Sequence, residues 1–146
     1  MREPRRADLD DLPALMELER MCYDGPRRQS RASLRRSLTS PRQSVWVLED
    51  DFGIAADLIL WHHRHTLRVY GVAVRPDRQG KGLGRALVLH AEALAGPARV
   101  VLEADAADPR LIDWYERQGY RRTDLRPDFY APGRHAWRME RAESQE

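Results

Sequence analysis

Three alternating glycines mark the segment of this 146-residue chain with the clearest binding chemistry. Gly80, Gly82 and Gly84 lie in RPDRQGKGLGRALVLH, residues 75 to 90, and lead into an apolar helical pattern. The first amides of a helix have no partner inside it, and the helix dipole adds partial positive charge there. Glycine lets the backbone close on a ligand. The segment therefore predicts backbone N–H groups that hold a phosphate or pyrophosphate without a metal; an ordinary turn is the alternative.

Two familiar phosphate motifs do not fit this segment. A P-loop needs Ser or Thr directly after its lysine, whereas Lys81 is followed by Gly82. The dinucleotide fingerprint G-x-G-x-x-G requires a glycine spacing other than strict alternation. The anion site is therefore predicted from the glycines and the helix start alone.

Two side chains further along the chain are suited to proton transfer. Glu103 lies in a predicted strand, residues 99–104, where alternation places it opposite the more apolar face. Tyr115 lies on a predicted helix, where the four-residue spacing puts it on the same face as Leu111. Each residue also has a purely structural interpretation. Glu103 could be a solvent-facing or salt-bridged glutamate, and Tyr115 could be a tyrosine packed in the core.

These residues need a scaffold in which helices and strands are interleaved. A first helix, capped by Asp8 or Asp11 and ended by Asp24-Gly25-Pro26, carries an apolar stripe. The stripe consists of Leu12, Leu15, Met16 and Cys22. Further helices are predicted at 30–38, 83–95 and 109–118, and strands at 44–48, 54–61, 67–74, 99–104, 120–125 and 136–140, with a loop at 127–133.

This order predicts one α/β domain, residues 1–146, with helices packed on a mixed sheet. The tail at 142–146 is expected to fray. With 42% hydrophobic and 33% charged residues, the chain is expected to be globular rather than disordered.

The motif Q-x-x-G-x-G at residues 79–84, preceded by V-A-V-x-P at 72–76, resembles the acetyl-coenzyme A signature of the GNAT acetyltransferases. Residues 102–120, LEADAADPRLIDWYERQGY, resemble the closing motif of the same family, a strand followed by a tyrosine-bearing helix that ends in Gly-aromatic. The resemblance covers the chain from about Arg5 to Arg141. It implies the GNAT fold, a mixed, mostly antiparallel sheet flanked by helices.

The resemblance also implies where acetyl-coenzyme A, the cosubstrate, is bound without a metal. The strand ending at Val74 is expected to carry a bulge and to pair with the pantetheine arm, and the pyrophosphate is expected on residues 80–85. The implied binding residues are Val72, Ala73, Val74, Gln79, Gly80, Lys81, Gly82, Leu83, Gly84, Arg85 and Asp108. Asp108 departs from the family, which usually has asparagine there, and as a helix cap before Pro109 it has a structural alternative.

The resemblance to the family implies catalytic roles for three chemical groups. Glu103 is the expected general base, Tyr115 the expected acid for the leaving sulfur, and the Val74 amide the group that polarises the thioester carbonyl. An α-amine, with a pKa of about 7.7 to 8.0, loses its proton more readily near neutral pH than a lysine at about 10.4. We therefore expect direct acetyl transfer to the N-terminal amine of a protein or peptide, with a small-molecule amine or a non-catalytic coenzyme A-sensing or partner-binding module as alternatives.

Within the family, the chain is most similar to the bacterial ribosomal-protein alanine N-acetyltransferases. The similarity rests on Leu102-Glu103, Tyr115, Phe129-Tyr130 and Ala136 with Met139. A ribosomal protein is therefore one candidate acceptor. Tyr23, Phe129 and Tyr130 are expected to line the acceptor groove, although YDGPR at 23–27 lacks the aromatic-Pro-Trp of these relatives.

Histidines and arginines give weaker signals. In WHHRH, His62 and His63 would point to opposite faces of a strand, which does not favour a metal site. A basic cluster around the second helix is formed by Arg27, Arg28, Arg31, Arg35 and Arg36. A solvated face, an acidic protein acceptor and ribosomal RNA remain open explanations.

Composition narrows the protein class further. Cys22 is the only cysteine, so an internal disulfide and a cysteine-based zinc site are excluded, and Cys22 is expected in the core. A net charge of +2 does not favour nucleic-acid binding. No apolar run of membrane length and no signal-peptide pattern is present, so we expect a soluble cytoplasmic protein; a monomer and a homodimer both remain open.

Overall fold

A computed structural model describes residues 2–141, so the tail predicted to fray, 142–146, lies outside the described residues. The strands are β1 (Arg5–Arg6), β2 (Gln43–Asp50), β3 (Gly53–His62), β4 (Thr66–Val74), β5 (Arg99–Asp105), β6 (Arg121–Ala131) and β7 (Arg134–Arg141). The helices are α1 (Leu12–Cys22), α2 (Arg31–Thr39), α3 (Leu83–Ala95) and α4 (Pro109–Arg117). No helix among these residues is long and apolar enough to cross a membrane.

The seven strands form one sheet in the order β1-β2-β3-β4-β5-β7-β6. Neighbouring strands are antiparallel except for β4 and β5, which are parallel. The prediction of a mixed, mostly antiparallel sheet flanked by helices is therefore confirmed.

The parallel pair at the centre of the sheet is short. β4 and β5 pair over four positions, from Thr66 opposite Arg99 to Val69 opposite Leu102. Directly beyond this point β4 carries a bulge, because Leu60 pairs with Val69 and Ile59 with Gly71, which leaves Tyr70 as the extra residue. The expected bulge is thus present, and a gap between β4 and β5 begins beside it.

Two hydrophobic clusters cover the two faces of the sheet. Successive strand residues point to opposite faces, so Leu58 and Leu60 pack with α3 and α4, while Ile59 packs with α1 and α2. In β5 the same alternation puts Leu102 in the α3–α4 cluster and turns Glu103 to the α1–α2 face. The predicted division of β5 into two faces is confirmed.

The first helix corrects two expectations about its apolar stripe. Met16 is 37% exposed, whereas Leu18, which was left out of the stripe, is 1% exposed. The buried face follows the steps from Leu12 to Leu15 to Leu18, which leaves Met16 at its edge. Cys22 is half-buried, and its Sγ donates to the Val74 carbonyl at 3.2 Å, so it is not a simple core residue.

The end of the chain corrects a third expectation. The segment predicted as a loop, 127–133, is strand up to Ala131, and its register against β7 slips between Arg126 and Ala131. Most of β6 is exposed on both faces, so it lacks the alternation by which strands are predicted. Strand β1 was also missed, since two arginines at a sheet edge give no hydrophobic signal.

Candidate active site

The gap between β4 and β5 opens into a cavity of about 700 Å³, called here the central cavity. Its walls bring together most of the predicted site residues. They include Tyr23, Val72, Ala73, Val74, Gln79, Glu103, Asp108, Tyr115, Phe129 and Tyr130. Lys81 and Leu83 line instead a neighbouring cavity of about 570 Å³ together with Arg78.

The glycine-rich segment before α3, residues 79–85, is called here the amide loop. Gly80 and Gly82 have φ of 79° and 84°, a backbone conformation that residues with a Cβ rarely adopt. The first amide to bond back along the chain is that of Ala86, which donates to the Gly82 carbonyl at 3.0 Å. Within residues 2–141, the amides from Gly80 to Arg85 donate to no protein acceptor, so they are available for an anion.

Gly84 has a different role from the two glycines before it. A Cβ at this position would lie 3.4 Å from two ring atoms of Trp114 and 3.6 Å from Val74 Cγ2. These are ordinary van der Waals distances, so α3 packs against α4 and the end of β4 here, but the packing does not by itself require a glycine. Gln79 belongs to the same junction, because its Nε2 donates to the Val74 carbonyl at 3.3 Å.

The edge of β4 that faces the gap can be read from its hydrogen bonds. The Arg75 amide donates to the Ala55 carbonyl of β3 at 2.9 Å, so the alternate residues Val72 and Val74 turn their polar groups the other way. In agreement, the Val72 carbonyl accepts from the Tyr23 hydroxyl at 2.6 Å. The amides of Val72 and Val74 thus lie on the open edge, beside the central cavity.

Tyr115 reaches the cavity from α4, on the face covered by α3 and α4. Its ring makes edge contacts with Trp114 and Tyr120, at centroid distances of 4.9 and 5.6 Å, and the residue is 6% exposed. Burial raises the pKa of its hydroxyl above the usual value, so the group is a neutral hydrogen-bond donor at physiological pH. Tyr115 is therefore both a packed core residue and a wall of the cavity.

Glu103 reaches the cavity from the opposite face of the sheet. Its carboxylate pairs with Arg68, and Oε2 lies 3.9 Å from the guanidinium of Arg138. The side chain is 6% exposed, and Oε2 has no hydrogen-bond partner among the residues described. Glu103 is thus a salt-bridged glutamate that also lines the cavity. Its position is compatible with both sequence-based interpretations, a salt-bridge partner and a general base.

Asp108 acts as the cap of α4. Its Oδ1 accepts from the Leu111 amide at 3.2 Å, and Pro109 occupies the first turn. Asp108 also lines the central cavity, so a contact with a ligand remains compatible with the cap.

Side chains from two separate segments, the α1–α2 loop and β6, form one end of the cavity, called here the acceptor mouth. The guanidinium of Arg27 lies 5.0 Å from the ring centre of Tyr23 and 5.7 Å from that of Tyr130. Phe129 packs edge-on against Tyr130 at 5.0 Å. All three predicted acceptor residues therefore meet in one place, joined by Arg27 of the predicted basic cluster.

A chain of ion pairs ties this mouth together. Arg134 of β7 bonds Asp24 at 2.9 Å and Asp105 at 3.2 Å, and Arg27 lies 3.6 Å from Asp105. Asp105 is 4% exposed. The α1–α2 loop and the β6–β7 hairpin are thus linked across the entrance.

Two buried carboxyl groups were not singled out by the sequence analysis. Glu19 of α1 and Asp57 of β3 are each 2% exposed, and Glu19 lines the central cavity. Burial raises the pKa of Glu19 to about 7, against the opposing effects of the Gln29 backbone and nearby arginines. Burial and the charge of Glu19 raise the pKa of Asp57 well above its usual value. An available signal was a carboxylate on a buried helical stripe, four residues after Leu15.

The other polar signals of the sequence lead elsewhere. His62 Nε2 lies 2.8 Å from Ser44 Oγ, and no group of three or more potential metal-binding His, Cys, Asp or Glu side chains occurs in the described part of the chain. Arg28, Arg31 and Arg35 are exposed. Only Arg27 and Arg28 of the predicted basic cluster line the cavity, as far as residues 2–141 show.

Comparisons with known proteins agree with this geometry. The sequence profile of the Acetyltransferase (GNAT) domain matches residues 41–122, more than half of the chain. No curated protein sequence matches significantly.

Solved structures resemble the chain over nearly its whole length. The ribosomal-protein-S18-alanine N-acetyltransferase from Escherichia coli is 25% identical, with a TM-score of 0.89 over 100% of this chain and 96% of that one. Arabidopsis thaliana NAA60 in complex with a bisubstrate analogue is 14% identical, with a TM-score of 0.82 over 94% and 95% of the two chains. The GphF GNAT-like decarboxylase in complex with isobutyryl-CoA is 21% identical, with a TM-score of 0.81 over 97% and 99%. At these last two identities the likeness shows the fold alone. The chain is thus an enzyme of the GNAT acetyltransferase family.

Proposed function

We propose that this enzyme transfers an acetyl group from acetyl-coenzyme A to the N-terminal α-amine of a protein or peptide. One observation carries the proposal. The central cavity lies at the β4–β5 gap, with Tyr115 on the α3–α4 side and Glu103 with the acceptor mouth on the α1–α2 side, and Gln79 at the start of the amide loop also lines it. A donor and an acceptor can therefore approach one point from opposite faces.

The residues on the α3–α4 side fit coenzyme A. The amides from Gly80 to Arg85 are available for the pyrophosphate, which a helix start binds without a metal. The open edge of β4 at Val72 and Val74 can pair with the amide groups of the pantetheine arm, as an added strand would. Bound in this way, acetyl-coenzyme A supplies an activated acetyl group as a thioester.

Two donors then serve the chemistry of the thioester. The Val74 amide points to the open edge and polarises the carbonyl oxygen; a preorganised donor of this kind contributes on the order of 3 kcal/mol. Tyr115 stays protonated and donates to the sulfur as the carbon–sulfur bond breaks. Because its hydroxyl faces the cavity from a packed ring, the donor is held in place before the reaction.

Glu103 is the proposed proton acceptor during attack, acting directly or through one water. Its Oε2 has no hydrogen-bond partner among residues 2–141, so this oxygen remains available. Arg68 pairs with Oε1 of the carboxylate, and Arg138 lies 3.9 Å from Oε2, beyond hydrogen-bond distance. General-base assistance of this kind is worth about 10² to 10⁴ in rate.

Tyr23, Phe129 and Tyr130 are proposed to hold the first residues of the acceptor. The Tyr23 hydroxyl is occupied by the Val72 carbonyl, so the residue contributes a wall and not a base. A protein acceptor is supported by the E. coli structure, whose enzyme is named for alanine of ribosomal protein S18. A ribosomal or other newly made protein would place the reaction in the cytoplasm.

The test uses the full chain with labelled acetyl-coenzyme A and two groups of acceptors. Peptides that begin with alanine or serine are compared with polyamines and free amino acids, and mass spectrometry locates the label. We expect label on the α-amine and none on a matched peptide with a blocked N-terminus and an internal lysine. Faster labelling of polyamines would indicate a small-molecule enzyme, and binding of coenzyme A without turnover on any amine would indicate a sensor.

A further inference from the structure

The proposed reaction leaves one proton without a destination. An α-amine with a pKa of about 7.7 to 8.0 is mostly an ammonium ion at pH 7, and it must lose a proton before it can attack. We propose, building on the proposed function, that Glu19, backed by Asp57, takes this first proton from the acceptor ammonium at the α1 wall of the central cavity. Glu103 then serves only the later proton loss during attack.

The position of Glu19 follows from the face of α1 that meets β4. Glu19, Cys22 and Tyr23 are three and four residues apart and therefore share a helical face. Cys22 and Tyr23 donate to the carbonyls of Val74 and Val72 at 3.2 and 2.6 Å. Glu19 thus lies one helical turn before the residues that contact Val72 and Val74, and it lines the central cavity.

Burial and missing partners distinguish this carboxyl from an ordinary surface glutamate. Glu19 is 2% exposed, and its Oε2 has no hydrogen-bond partner among the residues that the structure describes. An unpaired buried carboxylate oxygen costs free energy unless a donor reaches it. An ammonium group entering the cavity is such a donor.

Asp57 lies behind Glu19 and makes a second charge there unfavourable. It pairs with Ala73 in the β3–β4 register, is 2% exposed, and leaves its Oδ2 without a hydrogen-bond partner in residues 2–141. Two buried carboxyl groups close together resist being ionised at once. The pair therefore favours taking up a proton.

The charged and titratable groups that face Glu19 are few. Asp57 contributes from β3, Arg27 and Arg28 from the α1–α2 loop, and Cys22 and Tyr23 from the end of α1. The pKa of Glu19 near 7 lies close to that of an α-amine, so the proton can pass in either direction at low cost.

The proton balance is complete with these groups. The acceptor ammonium gives one proton to the Glu19 carboxylate and becomes a neutral amine. The amine nitrogen forms its bond to the acetyl carbon and loses its second proton to Glu103, while the carbon–sulfur bond breaks and Tyr115 gives its proton to the sulfur, which ends as a thiol. The proton held by Glu103 then returns to Tyr115 through the cavity. Glu19 then releases its proton to water through the cavity, and one proton is produced per turnover.

The decisive variant is Glu19→Gln, assayed for kcat/KM between pH 6 and 9.5. Glutamine keeps the shape and one oxygen acceptor, so the backbone contact near Gln29 can persist. We expect a loss of up to about tenfold at pH 7, where only about a tenth of the α-amine is neutral, and a loss of less than about threefold at pH 9.5, where the amine is already neutral. A peptide with a hydrazide in place of its α-amine is neutral at pH 7 and should lose less than about threefold there.

Two controls separate this role from a structural one. Glu17→Gln removes an exposed carboxylate on the same helix and should leave the pH profile of kcat/KM unchanged. In protein carrying carbon-13 at the glutamate carboxyls, one resonance should titrate near pH 7 and disappear in Glu19→Gln. This second measurement needs no acetyl acceptor.

The possible outcomes distinguish the proposed role of Glu19 from the proposed function of the enzyme. An equal loss for Glu19→Gln at all pH values, or for amine and hydrazide alike, would show a structural role and overturn the inference while leaving the proposed function intact. Turnover by Glu19→Gln equal to wild type at pH 7 would do the same. Absence of turnover by wild type on every peptide would instead overturn the proposed function, and the inference with it.

Discussion

The two halves of the proposed site, the donor half on the α3–α4 side and the acceptor half on the α1–α2 side, are built by different means. In the donor half, the proposed binding groups are the backbone amides of the amide loop, whose directions are set by the φ angles of Gly80 and Gly82. On the α1–α2 side, they are side chains held by ion pairs, such as Arg134 with Asp24 and Asp105. A site formed by backbone amides keeps the same shape when side chains are substituted. A site formed by side chains can change with each substitution. The difference suggests a constant donor site beside an acceptor site that can change.

The largest expected effect falls where the two halves meet. Tyr115→Phe removes the hydroxyl but keeps the ring contacts with Trp114 and Tyr120, so turnover should fall by about 10² or more while coenzyme A affinity changes less than about twofold. Steady-state kinetics and calorimetry check the two parts. Tyr120→Phe is the matched control, and full activity of Tyr115→Phe would remove this residue from the acid role.

A second prediction concerns the stability of the acceptor half. The folded-state pKa of Glu19 is about 7 against an ordinary 4.5, so its contribution to stability is present below about pH 4.5 and is lost as pH rises through 7. Glu19→Gln avoids the buried charge, so at pH 8 its free energy of unfolding should exceed that of wild type by about 2 kcal/mol, with the difference vanishing towards pH 5.

Urea denaturation at pH 5, 6, 7 and 8 measures this difference. Glu17→Gln, on the exposed side of α1, should follow the wild-type curve. Parallel curves for wild type and Glu19→Gln would show that burial does not perturb this carboxyl. The expected combination, a variant that is more stable at pH 8 but slower at pH 7, would mark Glu19 as a group kept for function.

The donor half should respond to a single methyl group. Gly82→Ala forces a residue with a Cβ to adopt a φ of 84°, which costs about 1–2 kcal/mol and favours a displaced amide loop. Coenzyme A affinity measured by calorimetry should fall about tenfold, with the KM for peptide little changed. Gly25→Ala, at a position with open space and no positive φ, is the control; equal affinities for both variants would argue against a preorganised loop.

The smallest effect is expected at the acceptor mouth. Arg134→Ala breaks the bridge between the α1–α2 loop and the β6–β7 hairpin, so the KM for peptide should rise about threefold to tenfold because partly exposed ion pairs are worth little each. Coenzyme A affinity should not change. Arg121→Ala, on the far edge strand, serves as control, and a shift in coenzyme A affinity would contradict the division into halves.

The two halves also differ in how well their structure could be predicted from the sequence. The amide loop and α3 were predicted because glycine spacing, a helix start and an apolar period all act over neighbouring residues. The site residues Tyr115 and Glu103 were placed on the correct elements because the strand and helix patterns around them are strong. Local sequence patterns were therefore sufficient to predict the helices and strands of the donor half.

The acceptor half depends on residues far apart in the chain. Asp24 and Arg134 are separated by 110 positions, and no local pattern indicates that they meet. Arg27 was grouped with the basic cluster because arginines follow it in the sequence, yet it lies between two tyrosine rings. Glu19 was passed over because a single carboxylate on an apolar stripe resembles a helix edge.

The short β4–β5 pairing has a consequence for how ligands can be detected. The two parts of the sheet are joined at its centre by four residue pairs, and beyond them the strands separate. A molecule that fills the gap and bonds to both strands ties the two parts together, so binding free energy becomes resistance to heat. The melting temperature can therefore rank acetyl donors and acceptors, each added alone or both together. If adding both raises the melting temperature by more than the sum of the two separate increases, a ternary complex has formed, and no turnover assay is needed to detect it.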